Sequence, residues 1–154
     1  MLLGIVIVVA ILWLVSSGGA SQSSSYPQDG VTAMSQNDPL TQMSKAIAQF
    51  EGYNVPGSLP NRTNNPGDIG TYGGKVGSYP DAASGFSALQ NYISGHAANN
   101  PGWNFYDFFT YYLTGDPNGT PGPNQNPNAY ADYVAGALGV PASTPVSQVL
   151  GGGA

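Results

Sequence analysis

Leu40-Thr41-Gln42-Met43-Ser44-Lys45-Ala46-Ile47-Ala48-Gln49-Phe50-Glu51-Gly52-Tyr53 reads as one amphipathic helix that ends on a carboxylate. At 100° per residue, Leu40, Met43, Ile47 and Phe50 share one arc, and Thr41, Gln42, Lys45 and Gln49 share the other. Glu51 falls roughly 20° from Leu40 on that wheel, inside the apolar stripe. It is the only glutamate in the chain. A carboxylate on an apolar face loses hydration, which raises its pKa toward the range of a general acid. Gly52 then lets the helix stop. The plain alternative is a frayed helix end whose Glu51 turns to solvent.

Working outward, 154 residues leave room for one domain and an appendage. Charged residues make up 7% of the chain, against about 25% in an average soluble domain. The net charge is −5, and Lys45, Arg62 and Lys75 are the only basic side chains besides His96. A surface that tracks phosphates needs clustered Lys and Arg, so nucleic acid is not an expected partner. The polar surface must be built from Asn, Gln, Ser, Thr, Tyr and Gly, a chemistry that suits uncharged polar ligands such as sugars. No Cys is present and His96 stands alone, so neither a disulfide, a metal site nor a cofactor is expected.

Leu2 to Val15 is a nearly continuous apolar run. With Ser16 to Ala20 it approaches the roughly 20 residues that span hydrocarbon. Residues 1–20 therefore read either as an apolar N-terminal membrane helix or as a signal peptide cut after Gly18-Gly19-Ala20. Residues 21–38 are Ser- and Gln-rich and read as a flexible linker. The domain proper is expected over 39–150, with a frayed tail at 151–154. Asp38 and Pro39 open its first helix. The Pro- and Gly-rich stretch Asn54 to Ile69 excludes a helix on this reading. A hairpin pairs Ile69–Tyr72 with Lys75–Tyr79 around Gly73-Gly74. A second helix follows Pro80-Asp81, with Phe86, Leu89, Tyr92 and Ile93 on one face. A third spans Asn104 to Thr114, with Phe105, Phe108, Phe109 and Tyr112 inward. A fourth spans Asn128 to Leu138 on Tyr130, Tyr133, Val134, Ala137 and Leu138, and a last turn covers Val146 to Leu150. Trp103, at a helix start, reads either as a ring that stacks on a sugar or as a core plug, with the core expected, and His96 is expected at the surface. The fold class is α+β, mostly helical, with one small β-hairpin.

Phe50-Glu51-Gly52, then Asn64-Asn65-Pro66-Gly67-Asp68-Ile69, then Tyr79 and Gly85-Phe86-Ser87-Ala88-Leu89 form a pattern. Together with Asn126-Pro127-Asn128-Ala129-Tyr130 and Leu138-Gly139-Val140, it resembles the lysozyme-like domains of phages and prophages over about residues 43–150. The resemblance implies a lysozyme-like domain that cleaves the glycan strand of peptidoglycan. It implies Glu51 as the catalytic acid, with Asn64, Asn65, Asp68, Tyr79, Asn126 and Tyr130 as residues that contact the sugar. The pattern usually carries Asn where this chain has Asp68, so position 68 stands open between a turn residue and a second carboxylate. The Asn-Asn-Pro-Gly box also has a plain turn reading, since Asn favours turns, Pro fixes φ and Gly allows positive φ.

The chemistry of the residues agrees. Breaking a glycosidic bond needs an acid in a low-dielectric site to protonate the leaving oxygen. A hydrolase usually adds a second carboxylate. A lytic transglycosylase can work with one, because it then deprotonates the sugar's own 6-hydroxyl. Asp29 lies in the linker, Asp38 and Asp81 resemble helix caps, Asp107 and Asp132 lie on helices, and Asp116 follows one. Only Asp68 lies in the motif. A single-glutamate lytic transglycosylase or muramidase is the expected function, membrane-anchored or secreted toward the periplasm or cell wall, or carried on a virion. The domain is expected to act as a monomer. The alternatives are a catalytically inactive wall-binding or structural module on the same fold, and an anchored pilin-like subunit.

The N-terminal run carries a direct expectation: it is required for membrane association and not for activity. Fractionation of the full chain should place it with membranes, whereas a chain beginning at residue 39 should be soluble and helical by circular dichroism. Uncleaved full-length protein in the soluble fraction would contradict this.

Overall fold

The structure, a computed structural model, describes residues 38–71 and 75–151. The expected N-terminal helix, the linker up to Asn37, the hairpin tip at 72–74 and the tail at 152–154 lie outside the described residues. Among the described residues no helix is long and apolar enough to cross a membrane. The described chain is mostly helical. Its elements are α1 (Pro39–Phe50), α2 (Leu59–Arg62), β1 (Gly70–Thr71), β2 (Lys75–Val76), α3 (Ala82–Asn99), α4 (Phe105–Thr114), α5 (Pro127–Ala137) and α6 (Val146–Leu150).

Local chemistry sets the boundaries. Asp38 caps α1 by accepting from the Thr41 amide at 3.0 Å. Asp81 does the same for α3 from Ser84, and Asn126 for α5 from Ala129. Asn104 and Asp107 form a reciprocal capping box at the start of α4. At the end of α1, Gly52 adopts φ +74°. Its amide bonds to the Gln49 carbonyl, and the Tyr53 amide reaches the Ala48 carbonyl. This six-to-one closure needs a left-handed residue at Gly52. Gly139 closes α5 with the same pattern, through bonds to Gly136 and from Val140 to Ala135.

Two sequence expectations are corrected here. The stretch after Glu51 does hold a helix, the single turn α2. Pro60 sits near its start, where a missing amide costs nothing, and Ser58 caps it through the Asn61 amide. The hairpin is shorter than its sequence signal: among the described residues only Gly70–Val76 and Thr71–Lys75 pair as strands, antiparallel. Beyond them the Gly77 amide still donates to the Ile69 carbonyl at 3.1 Å, while the Asn65 side chain stands in for the other bond of that pair, accepting from the Ile69 amide and donating to the Gly77 carbonyl.

The core joins α1, α3, α4, α5 and α6 through Met43, Ile47, Leu89, Ile93, Phe105, Phe108, Phe109, Tyr130, Val134 and Val146, all essentially inaccessible to water. The three Phe residues of α4 point inward as the sequence indicates, while Tyr112 is half-buried. Phe50 and Tyr133 are not core residues: they are 44% and 38% exposed. On α1 the buried stripe is completed by Ser44, Ala46 and Ala48, small residues that let neighbouring helices close in. The chain end is tied down by Phe105 bonding to Ala142 and Val146 bonding to Trp103.

Gly85 explains how α3 meets the Asn-Asn-Pro-Gly loop. A Cβ at Gly85 would stand 1.8 Å from the Asn64 carbonyl oxygen and 2.9 Å from Pro66 Cδ. The helix and the loop backbone therefore touch at a place where no side chain fits. Gly85→Ala should destabilise the domain by about 1–3 kcal/mol, the range for inserting a methyl group into a packed contact. Gly95→Ala on the same helix, where the added carbon meets nothing within 4 Å, should be neutral or stabilise by about 0.5–1 kcal/mol. Denaturant unfolding of the two variants checks this, and equal effects would sink the close-approach account.

Candidate active site

Glu51 is the residue at which α1 ends, and the Gly52 closure fixes its backbone. Its side chain is half-buried, and Oε1 accepts a 2.7 Å hydrogen bond from the Tyr130 hydroxyl of α5. The Tyr130 ring is held on both faces: Phe50 stacks at 3.9 Å and Phe109 at 4.2 Å between centroids, each within 19° of parallel. Two rings at such distances cannot share a face, so Tyr130 is the middle of a three-ring stack. Its hydroxyl direction is therefore fixed by packing, and it aims the carboxylate.

Burial pushes the Glu51 pKa upward from its ordinary 4.5, and it outweighs the opposing pull of the Tyr130 hydrogen bond. Asp68 adds to the rise, being near enough for its charge to oppose ionisation of Glu51. Burial also raises Asp68 itself. Burial, with Tyr112 and Glu51 following, drives the Tyr130 hydroxyl far above its ordinary value, so it stays a protonated donor.

Glu51 opens into a depression of about 240 Å³ lined by Phe50, Leu113, Asn124, Gln125, Asn126 and Tyr130. Asp68 opens into another, of about 230 Å³, with Ile69, Gly70, Tyr92, Tyr111, Tyr112 and Gly115. The two carboxylates thus couple electrostatically while serving different openings. Tyr112 belongs to the second, and its hydroxyl donates to the Gly67 carbonyl.

The six expected sugar contacts separate into groups. Asn126 lines the Glu51 depression while its Oδ1 caps α5. Asp68 lines the neighbouring depression. Tyr130 is corrected: its hydroxyl meets Glu51, but its ring is 1% exposed and both faces are covered, so it cannot stack on a sugar. Asn65 is corrected too. It is 0% exposed, and its amide is spent on the Ile69 amide and the carbonyls of Ile69 and Gly77 at 2.9–3.1 Å. Asn64 donates to the Tyr79 carbonyl at 3.2 Å and takes a positive φ of 51°. Tyr79 returns its own amide to Thr63 at 2.9 Å and lines neither depression. The Asn64-Asn65 pair is a clamp that fastens residues 77–79 to the loop.

Leu113, Asn124 and Gln125 were not legible as site residues. They come from the end of α4 and from the Pro-, Gly- and Asn-rich loop before α5, which carries no periodic signal. Gln125 is anchored by donating to Leu113 at 3.2 Å and accepting from Gly122 at 2.8 Å. His96 and Trp103 also differ from expectation. Both are half-buried, packed with Tyr92 and Tyr111 in one aromatic group. Among the described residues no group of His, Cys, Asp and Glu is arranged to hold a metal. Compared with known protein families, curated proteins and solved structures, the chain matches none.

The raised pKa of Glu51 has a consequence for stability. The folded state holds the proton more tightly than the unfolded chain, so stability is greatest below the ordinary value of 4.5 and falls as pH rises toward the raised value. Glu51→Gln should remove that fall while keeping a Tyr130 acceptor, so the variant gains on wild type as pH increases. Unfolding curves between pH 4 and 8 test this, and parallel pH profiles would contradict it.

Proposed function

We propose that this domain is a lysozyme-like lytic transglycosylase or muramidase that cleaves the glycan strand of peptidoglycan with Glu51 as its one acid/base. The observation that carries the reading is the half-buried Glu51 carboxylate, aimed by Tyr130 into a depression that Phe50 and Leu113 share with the uncharged polar side chains of Asn124, Gln125 and Asn126. Burial favours the protonated carboxyl, which is the form that must protonate the glycosidic oxygen. Once the proton has left, the Tyr130 hydroxyl stabilises the carboxylate, which can then take the proton of the sugar 6-hydroxyl as that oxygen closes on the anomeric carbon. The bond to the leaving sugar breaks, an internal 1,6-anhydro acetal forms, and the proton returns to Glu51.

Asp68 faces another opening, and no second carboxylate lines the Glu51 depression among the described residues. That arrangement favours the intramolecular route over a two-carboxylate hydrolysis. The enzyme would act as a monomer on the periplasmic or wall side, tethered to the membrane by its apolar N-terminal segment or carried on a virion, without metal or cofactor.

Glu51→Gln should cut turnover by at least about 10²-fold, the lower end of what a positioned acid supplies, with the fold intact. Asp68→Asn should cost far less. Digestion of purified peptidoglycan with mass analysis of released muropeptides is the assay: anhydro ends mark the transglycosylase and reducing ends the hydrolase. A wild-type protein that binds the wall and releases nothing would make the domain a non-catalytic wall-binding module. Equal losses in both variants would make Asp68 a second catalytic carboxylate.

A further inference from the structure

Tyr112 of α4 carries a hydroxyl that the proposed reaction leaves unused. Its ring is fixed by Tyr92 at 5.5 Å, Phe109 at 5.8 Å and Phe108 at 6.3 Å between centroids. Its one proton goes to the Gly67 carbonyl of the Asn-Asn-Pro-Gly loop. Tyr130 is a further neighbour, with its ring 5.8 Å away and turned by 72°. The two hydroxyls are hydrogen-bonded to each other. Because the Tyr112 proton is spent on Gly67, its oxygen can only accept from Tyr130. Tyr130 thus has two acceptors, the Tyr112 oxygen and Glu51 Oε1 at 2.7 Å, and a single proton to give.

The choice between them follows the charge of Glu51. An ionised carboxylate is much the stronger acceptor and takes the Tyr130 donor. A neutral carboxyl is a weaker one, and the Tyr112 oxygen then competes for the same hydroxyl. The other groups that face the pair are Asp68 from the loop and Tyr92 from α3, and among the described residues no cation acts on either hydroxyl. Burial, followed by the charge of Glu51, holds the Tyr112 hydroxyl well above its ordinary value, so it keeps its proton on Gly67.

We infer that Tyr112 is a positioning residue for Glu51: Tyr130 turns its hydroxyl to the Tyr112 oxygen while Glu51 is protonated and back to Glu51 once that proton has gone. No proton passes between the tyrosines; one O–H bond rotates. The catalytic meaning rests on the acid/base reading of Glu51, whereas the change of acceptor does not. In the acid step Tyr112 draws off a donor that would favour ionisation of Glu51. In the base step the donor returns to the carboxylate. The loop, through Gly67 and Tyr112, thereby sets the proton affinity of a side chain at the end of α1.

The test is a titration of the Glu51 carboxyl carbon by nuclear magnetic resonance, in the full chain held in detergent micelles and labelled with carbon-13 at the glutamate side chain. Glu51 is the only glutamate, so the label reports one site. Tyr130→Phe should raise the Glu51 midpoint by about one pH unit, because the carboxylate loses its donor. Tyr112→Phe should lower it by about one unit, because the neutral carboxyl can no longer shed that donor. One unit is the tenfold change in proton affinity that a single hydrogen bond supplies. Added to Tyr130→Phe, Tyr112→Phe should change nothing further, since the coupling runs through the Tyr130 hydroxyl. A tyrosine that only pins the loop would move Glu51 in either background. Equal shifts in both backgrounds, or none in either, would therefore overturn the inference. Placing 3-fluorotyrosine at position 112 keeps the bond to Gly67 and weakens the oxygen as an acceptor, so it should lower the midpoint by a smaller amount; a rise would contradict the inference even if Tyr112→Phe failed to fold. The high-pH limb of muropeptide release should also lie about one unit lower in Tyr112→Phe than in wild type. Titrations that behave as stated in a protein that releases no muropeptides would sink the catalytic proposal and leave the change of acceptor standing. Release by wild type, with the Glu51 titration unmoved in Tyr112→Phe, would do the reverse.

Discussion

The hydrogen bond from Tyr130 to Glu51 joins the end of α1 to the middle of the core. Its strength depends less on the 2.7 Å contact than on what immobilises the donor. Tyr130 is clamped between Phe109 of α4 and Phe50 of α1, so three helices contribute to the direction of one hydroxyl. A phenol in this position carries a large apolar body into the core and delivers a polar tip to the rim. Phe50, half-exposed at the edge of the stack, covers the ring on one side and lines the depression on the other.

The second constraint is the close approach of the Asn-Asn-Pro-Gly loop to α3. Gly85 admits the Asn64 carbonyl, and Gly67 packs under Leu89 and the Tyr112 hydroxyl, where a Cβ would come within 2.7 Å of Leu89 Cδ1. Asn65 then saturates the loop from within, so the turn is held by its own side chains and not by a longer sheet. The result fixes Asp68 at the rim, close enough to Glu51 to disfavour a second charge. Low charge density across the chain sharpens this effect. Among the causes that shift Glu51 and Asp68 no cation appears, so burial sets the balance for both.

The sequence by itself determined the helices other than the single turn α2, and where they stop. Asp38, Asp81, Asn104 and Asn126 precede apolar periodicity, and Gly52, Gly115 and Gly139 follow it; these are local rules, satisfied by bonds within a few residues. It also singled out Glu51, because a lone carboxylate inside an apolar stripe is visible on a helical wheel. What the tertiary structure alone decided was the role of each polar side chain. Whether Asn65 faces a ligand or the backbone depends on Ile69 and on Gly77, twelve residues away. Whether Tyr130 offers its ring or only its hydroxyl depends on Phe50 and Phe109, brought in from two other helices. His96 and Trp103 become one surface with Tyr92 and Tyr111 only when α3 and α4 pack. Periodicity reports which side of a helix is apolar, and capping residues report where it ends. The fate of a hydrogen-bonding group or an aromatic face is set by partners distant in the chain, and no local pattern encodes them.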